Sequence, residues 1–285
     1  MISVTSLINI QIVTYTKLAM LALLSYDYIL SLAQEVTHIW NSKWGPVKVL
    51  YLYSRYSPFI DTTLAVVERL YPQMSSESCN RLMAFNTLFS GSGIGLSDVI
   101  LMVRTYSMYH NSRKILVVLV LSWTTVSIIS LVAALKWSGS FSAVTVPGLP
   151  GCVLVGESKT GIVDNAFFLA AETVVVILTL WRGFRHFYSF GFTLEITQKV
   201  TMTFYRDGVL YYLAILPFTL GNVVVLATAP PELQILETPL RVMHSILCCK
   251  LIIHIREVAK AEDEGEEVES LEEIAFRREP SVQDV

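Results

Sequence analysis

The sequence predicts an all-α fold, a polytopic membrane helix bundle of seven transmembrane helices with the N-terminus outside and the C-terminus in the cytosol. Three observations predict it. The first is composition: 53% of the 285 residues are hydrophobic and 16% are charged, whereas about a quarter of a soluble domain is charged. With a mean hydropathy of +0.54, the chain has too little polar surface to face water. The second is clustering: the apolar residues fall into runs of about 20, the length a helix needs to cross roughly 30 Å of hydrocarbon. The third is the uneven placing of Lys and Arg between those runs.

The expected spans are Lys17 to Trp40, Val47 to Leu70, Leu82 to Tyr106, Ile115 to Leu135, Val163 to Gly183, Val209 to Ala229 and Leu236 to Ile255. Each is expected to be helical, because unpaired backbone groups are costly in lipid and no alternation of period two signals a barrel. The second and seventh are the least apolar. Pro58 and Pro217 fall inside spans two and six and are expected to kink them, since proline removes a hydrogen bond and crowds the preceding turn. Ser90, Gly91, Ser92, Gly93 and Gly95 make span three slender, which fits a central helix or a local packing groove. No cleavable signal peptide is evident; Met1 to Thr16 lack a basic segment, and the first run reads as an uncleaved anchor.

Orientation follows from the basic residues. One set of loops holds Lys43, Lys48, Arg104, Arg113, Lys114, Arg182, Arg185, Lys199 and Arg206. The other holds Arg69, Arg81, Lys136 and Lys159, with Arg241 beyond. The richer set is expected to face the cytosol. Residues 1–256 thus form the transmembrane domain. Residues 257–285 form an acidic cytosolic tail, expected to be disordered because it is charge-dense and poor in apolar residues. Ser270 and Glu273 match a capping box ahead of a short transient helix. The net charge of −3 gives no basic bias toward nucleic acid.

Ionisable residues inside spans are expensive in lipid and mark structural networks or functional sites. Asp27, Ser31, Glu35 and His38 share one face of span one. Arg55 of span two is expected to pair with Glu35 or Asp27, because the short connecting loop makes the two helices antiparallel neighbours. Asp61 lies on the same span. Asp98 lies in span three, Glu172 at mid-depth in span five, Asn222 in span six, and Arg241 and His244 in the outer half of span seven. Lys250 reads as a snorkelling lysine. Cys79 and Cys152 are the two cysteines on the outer side and are expected to form a disulfide that holds the loop between spans four and five over the bundle mouth. Cys248 and Cys249 read as small apolar residues, with palmitoylation the alternative.

Tyr26-Asp27-Tyr28, then Glu35 and Trp40, then Arg55-Tyr56 resemble the N-terminal signature of a large fungal family. Its members are uncharacterised multi-pass membrane proteins of mushroom-forming basidiomycetes, named for an N-terminal domain of unknown function. The stretches Val103 to Leu116 and Ser245 to Glu257 are similar to later family segments, with Lys250 where arginine is more usual. The strongest part spans about 22–110. The resemblance implies a seven-helix architecture and no activity. The general form is also similar to that of G-protein-coupled receptors, although Val103 precedes Arg104 where those receptors carry an acid, and span seven has no NPxxY.

The sequence shows no Walker A loop, GxSxG or HExxH, and no Cys/His cluster with metal-ligand spacing. The expectation is therefore a non-enzymatic membrane protein without metal or cofactor. It reads as receptor-like or sensory, binding a small ligand in an outer pocket, with a cytosolic partner at the inner loops and tail and the plasma membrane as its place. A transporter or channel with a carboxylate path through Asp27, Asp98 and Glu172 is the alternative. Converging His and carboxylate groups at metal-ligand distances would reopen the case for an intramembrane enzyme.

Overall fold

A computed structural model describes residues 4–72, 74–140, 142–145, 151–155, 160–189, 214–230 and 233–278. Lys159, Lys199 and Arg206 of the orientation argument lie outside them. The described chain is helical apart from one short hairpin. The helices are α1 (Val4–Glu35), α2 (Pro46–Leu70), α3 (Ser76–Met108), α4 (Arg113–Ser140), α5 (Thr160–Ser189) and α7 (Glu237–Arg278), with α6 (Ala214–Thr228) shorter. A π-helical turn, Val36–Trp40, continues α1.

Five of these helices are long and apolar enough to cross a membrane: Val4–Trp40, Ser76–Met108, Arg113–Ala133, Ile162–Arg182 and Glu237–Glu257. Their outward faces are apolar, most plainly on α4, where Val117, Val120, Leu121, Ile128 and Leu131 are exposed. A surface that apolar is matched to lipid rather than water. Exposed Trp40, Trp44 and Trp181 lie toward one end of the bundle, with Lys48 Nζ 4.8 Å from the Trp44 ring, as in the aromatic belts of membrane–water interfaces. α2 is long but carries too many charges for such a span. Lys48, Arg55, Asp61, Glu68 and Arg69 are all buried, because α2 is enclosed by α1, α3 and α7 and its charges meet partners there. α6 is apolar but short as described; residues 209–213 of the expected sixth span lie outside the described residues.

Helix α1 is described from Val4, so it reaches beyond the Lys17 at which the sequence places the start of the first span. Lys17 lies inside the helix, its Nζ 3.7 Å from Glu68 Oε2 and donating to the Ala65 carbonyl at 3.4 Å. α2 runs unbroken through Pro58, with Pro46 in its first turn. Ser75 caps α3, its Oγ accepting from Ser78 N, which satisfies one of the unpaired amides of the first turn. At the far end of α3, His110 and Asn111 take the left-handed conformation that turns the chain into α4. Pairings fix the directions of the helices. Lys17 meets Glu68 and Asp27 meets Arg55, so α1 and α2 are antiparallel. Arg182 Nε bonds the Met108 carbonyl, so α3 and α5 end together.

The segment between α4 and α5, read from sequence as a loop, contains an antiparallel hairpin of β1 (Ser142–Thr145) and β2 (Cys152–Val155), with Thr145 opposite Cys152. Cys152 is bonded to Cys79, Arg69 Nη1 donates to the Cys152 carbonyl at 3.0 Å, and Gly151 N donates to the Tyr71 carbonyl at 3.1 Å. Gly151 has φ +83°, and a side chain there would overlap the Arg69 backbone, so glycine is required by both conformation and space.

α7 continues as helix to Arg278, through the stretch whose composition predicts disorder; Ser270 lies inside it rather than at a helix start. That stretch is dominated by Glu, Ala, Leu, Lys and Arg, which are strong helix formers even when polar on every side. Among the five apolar helices α7, rather than α3, is the most enclosed. The small residues of α3 explain why. Gly91 and Gly95 have nothing near the position of a side chain, whereas one on Gly93 would overlap the Arg241 guanidinium. The stripe thus partly faces a void and partly makes room for an arginine. Gly93→Ala is expected to lower stability by about 1–3 kcal/mol, measured by thermal unfolding, because the anchored guanidinium has to leave its partners.

Candidate functional site

A cavity of about 680 Å³ occupies the half of the bundle nearest the disulfide. All seven helices contribute to its wall, which is largely apolar with polar groups set into it. Lys17, Glu68, Arg69 and Glu237 stand toward the disulfide end. Asp61, Arg241 and Asp98 lie deeper, with Trp123 and Phe168 beside them. Trp123 Nε1 donates to the Gly95 carbonyl at 3.2 Å. Asp164 accepts from Ser130 at 2.6 Å, and Asn222 bonds Asn165 at 2.9 Å. These bonds tie α3 to α4, α4 to α5, and α5 to α6 around the cavity.

Beyond the Lys17–Glu68 pair, three further buried charge clusters sit at successive depths among the described residues. Nearest the cavity, Arg241 Nε lies 2.7 Å from Asp61 Oδ2 and its Nη2 donates to Ser57 at 2.6 Å. Both charged groups are almost fully enclosed, and each compensates the other. The sequence names Asp61 and Arg241, but their pairing across 180 positions carries no local signal.

The second cluster gathers Asp98, Glu172 and His244 from α3, α5 and α7. His244 Nε2 is 3.1 Å from Glu172 Oε1 and its Nδ1 is 3.9 Å from Asp98 Oδ1. One donor atom from each residue can be chosen so that all three lie within 4.8 Å of one another. The sequence names these residues one by one, without a metal site. The fold brings them together.

The third cluster lies farther from the disulfide. Arg55 is 1% exposed. Its Nη1 is 2.9 Å from Asp27 Oδ2 and its Nε 3.2 Å from Glu35 Oε2, and it also bonds Ser31 Oγ. It thus holds both of the acids that the helical spacing offers it. Glu35 Oε1 further accepts from Tyr56 at 2.8 Å and from Trp40 Nε1 at 3.0 Å. Lys250 does not simply snorkel: its Nζ is 2.8 Å from Asp27 Oδ1. Two acids and two bases therefore balance in one network across α1, α2 and α7.

A packed layer separates the third cluster from the cavity. Ser245 donates to the Ser54 carbonyl at 2.6 Å and Cys248 contacts the Ser97 carbonyl at 3.4 Å. Ser54, Ser97, Ser245, Cys248 and Tyr51 are fully buried, and Asp27 does not line the cavity. Cys248 and Cys249 act here as small packing residues. Below the third cluster, Arg256 Nη1 donates to the His38 carbonyl at 2.9 Å, and Lys48 donates to the Trp40 and Ser42 carbonyls, each at 2.9 Å.

Neither the curated proteins nor the solved structures give a match to this chain. Residues 15–60 match the model of a family of unknown function (DUF6533), a stretch that holds Asp27, Glu35 and Arg55 and so supplies all of the third cluster except Lys250.

Proposed function

We propose that this protein is a receptor-like, seven-helix membrane protein that binds a small molecule in the cavity at its disulfide end. The observation that carries the reading is the cavity itself. Its volume of about 680 Å³ falls within the roughly 300–1,000 Å³ of small-molecule sites, and its apolar wall with a few convergent polar groups has their usual character. The reading assigns binding rather than catalysis. It places the N-terminus and the hairpin outside, with Lys43, Lys48, Arg113, Lys114 and Arg182 facing the cytosol. It adds α2 and α6 to the five apolar helices as spans, and takes lipid as the surrounding solvent, with the plasma membrane as the proposed site. A cytosolic partner is assigned to the basic inner loops and the acidic extension of α7.

Transport through Asp98 and Asp27 is the second reading. It requires the layer of Tyr51, Ser54, Ser97, Ser245 and Cys248 to open, and the bonds across that layer favour a blind pocket instead. A ligand would act by binding one arrangement of the helices better than another.

The test is a thermal-stability screen of the purified protein against small amphipathic molecules, repeated on Gly95→Leu. A Cβ at this position meets nothing within 4 Å and leucine improves helix propensity by roughly 0.5–1 kcal/mol, so folding is expected to be retained. The new side chain enters the cavity, so affinity for any stabilising molecule is expected to fall more than about tenfold. A molecule that stabilises both proteins equally would place binding elsewhere and sink the reading.

A further inference from the structure

We infer that Asp98, Glu172 and His244 form a binding site for one divalent transition-metal ion of the zinc type at the floor of the cavity. The inference goes beyond small-molecule binding and does not depend on signalling.

Charge gives the first argument. The Arg55 cluster carries its own cations, and so does the Arg241 cluster. Among the described residues, no Lys or Arg lies within ion-pairing distance of Asp98 or Glu172; His244 is their ionic partner. A protonated imidazole offsets one carboxylate and leaves the second uncompensated in the middle of an apolar bundle, which is costly. A dication offsets both and leaves the imidazole neutral, the form in which it ligates.

Geometry gives the second. Donors on a tetrahedral ion at about 2.0–2.1 Å stand roughly 3.3 Å apart. The donor atoms here lie within 4.8 Å of one another, so small rotamer changes close the set. The residue Glu172 is 9% exposed, and neither of its oxygens has a hydrogen-bond donor among the described residues. Its 3.1 Å approach to the imidazole sets two potential metal donors side by side. Beside them is a second, small cavity of about 30 Å³, bounded by Asp98, Glu172, Trp123 and Phe168, large enough for a water-sized group. Asp98 also lines the large cavity, which provides the entry path.

The donor set selects the ion class. Calcium and magnesium favour all-oxygen shells, whereas imidazole with carboxylates suits zinc and its neighbours. Three protein donors leave a position facing the cavity, the pattern of an open site rather than a closed structural one.

The experiment uses the full chain, purified with its disulfide intact, stripped with chelator and dialysed against Zn²⁺. Metal content is read by mass spectrometry, and the ligand field by the visible spectrum after Co²⁺ loading. Wild type is expected to hold one ion per chain with a Co²⁺ spectrum of nitrogen and oxygen ligation. The near-isosteric Glu172→Gln and Asp98→Asn are expected to lose affinity more than about tenfold. His110→Ala, at an exposed histidine, is expected to keep it. If the two carboxylate variants do not fold, the wild-type stoichiometry and spectrum decide alone. Wild type that binds no ion, or Glu172→Gln that binds as wild type does, overturns the inference.

Discussion

Arg55→Ala is expected to destabilise the protein by about 3–5 kcal/mol, the cost of removing one partner from a buried ion pair, enough to abolish folded expression of most membrane bundles. The guanidinium is 1% exposed and bonds Asp27, Glu35, Ser31 and the Tyr28 carbonyl. Removing it leaves Lys250 to balance two carboxylates, and Lys250 reaches Asp27 alone. Glu35, fully buried, keeps Tyr56 and Trp40 as donors but no cation. Arg55→Lys is expected to be damaging as well, because one ammonium does not reproduce a fork that serves two carboxylates at once. Adding Glu35→Gln to Arg55→Ala removes the stranded charge and is expected to recover part of the loss. Monodisperse yield in size-exclusion chromatography and thermal unfolding give the readout. A fully stable Arg55→Ala protein would mean that the network does not hold α1 to α2.

Loss of the Cys79–Cys152 bond is expected to have the second large effect. The bond closes a loop of 73 residues, for which the chain-entropy account gives about 4 kcal/mol as an upper figure. Both cysteines are buried, and together with Met83 and Met74 they form a small apolar cluster at the cavity end of α3. The hairpin's remaining ties to the bundle include the Arg69 guanidinium on the Cys152 carbonyl and the Gly151–Tyr71 backbone bond. The Cys79→Ala/Cys152→Ala protein is expected to unfold at lower temperature. It is also expected to release any cavity ligand faster, because the hairpin at the mouth loses its covalent anchor to α3. Thermal unfolding and ligand dissociation rates, measured side by side, check this. Unchanged values in both would remove the disulfide from the account.

The helical character of the chain was legible because the long apolar helices signal themselves locally: α4 is apolar on nearly every side, and its sequence alone gives its place. α2 was legible for a different reason, since the Asp27, Glu35 and Arg55 spacing carries the α1–α2 pairing through a short loop. What sequence did not carry was long-range convergence. Asp61 with Arg241, and Asp98 with Glu172 and His244, each join residues that are ordinary in their own helices. No spacing rule links positions on α3, α5 and α7. The glycines of α3 misled in a particular way. A Gly/Ser stripe in an apolar helix signals close helix packing, yet Gly91 and Gly95 face open space and line the cavity, while Gly93 alone makes way for a neighbour.

The central claim is a cavity that opens toward the outside of a membrane bundle. Cysteine accessibility at Gly91 tests it most directly, since Gly91 lines the cavity with nothing within 4 Å of the side-chain position. Gly91→Cys would be made in sealed cells and in inverted vesicles, each treated with a small membrane-impermeant thiosulfonate, and the extent of labelling compared. The account predicts labelling in intact cells and protection in inverted vesicles, with Cys248 and Cys249 silent in both because they are buried. Labelling from the cytosolic side alone, or from neither side, would contradict it.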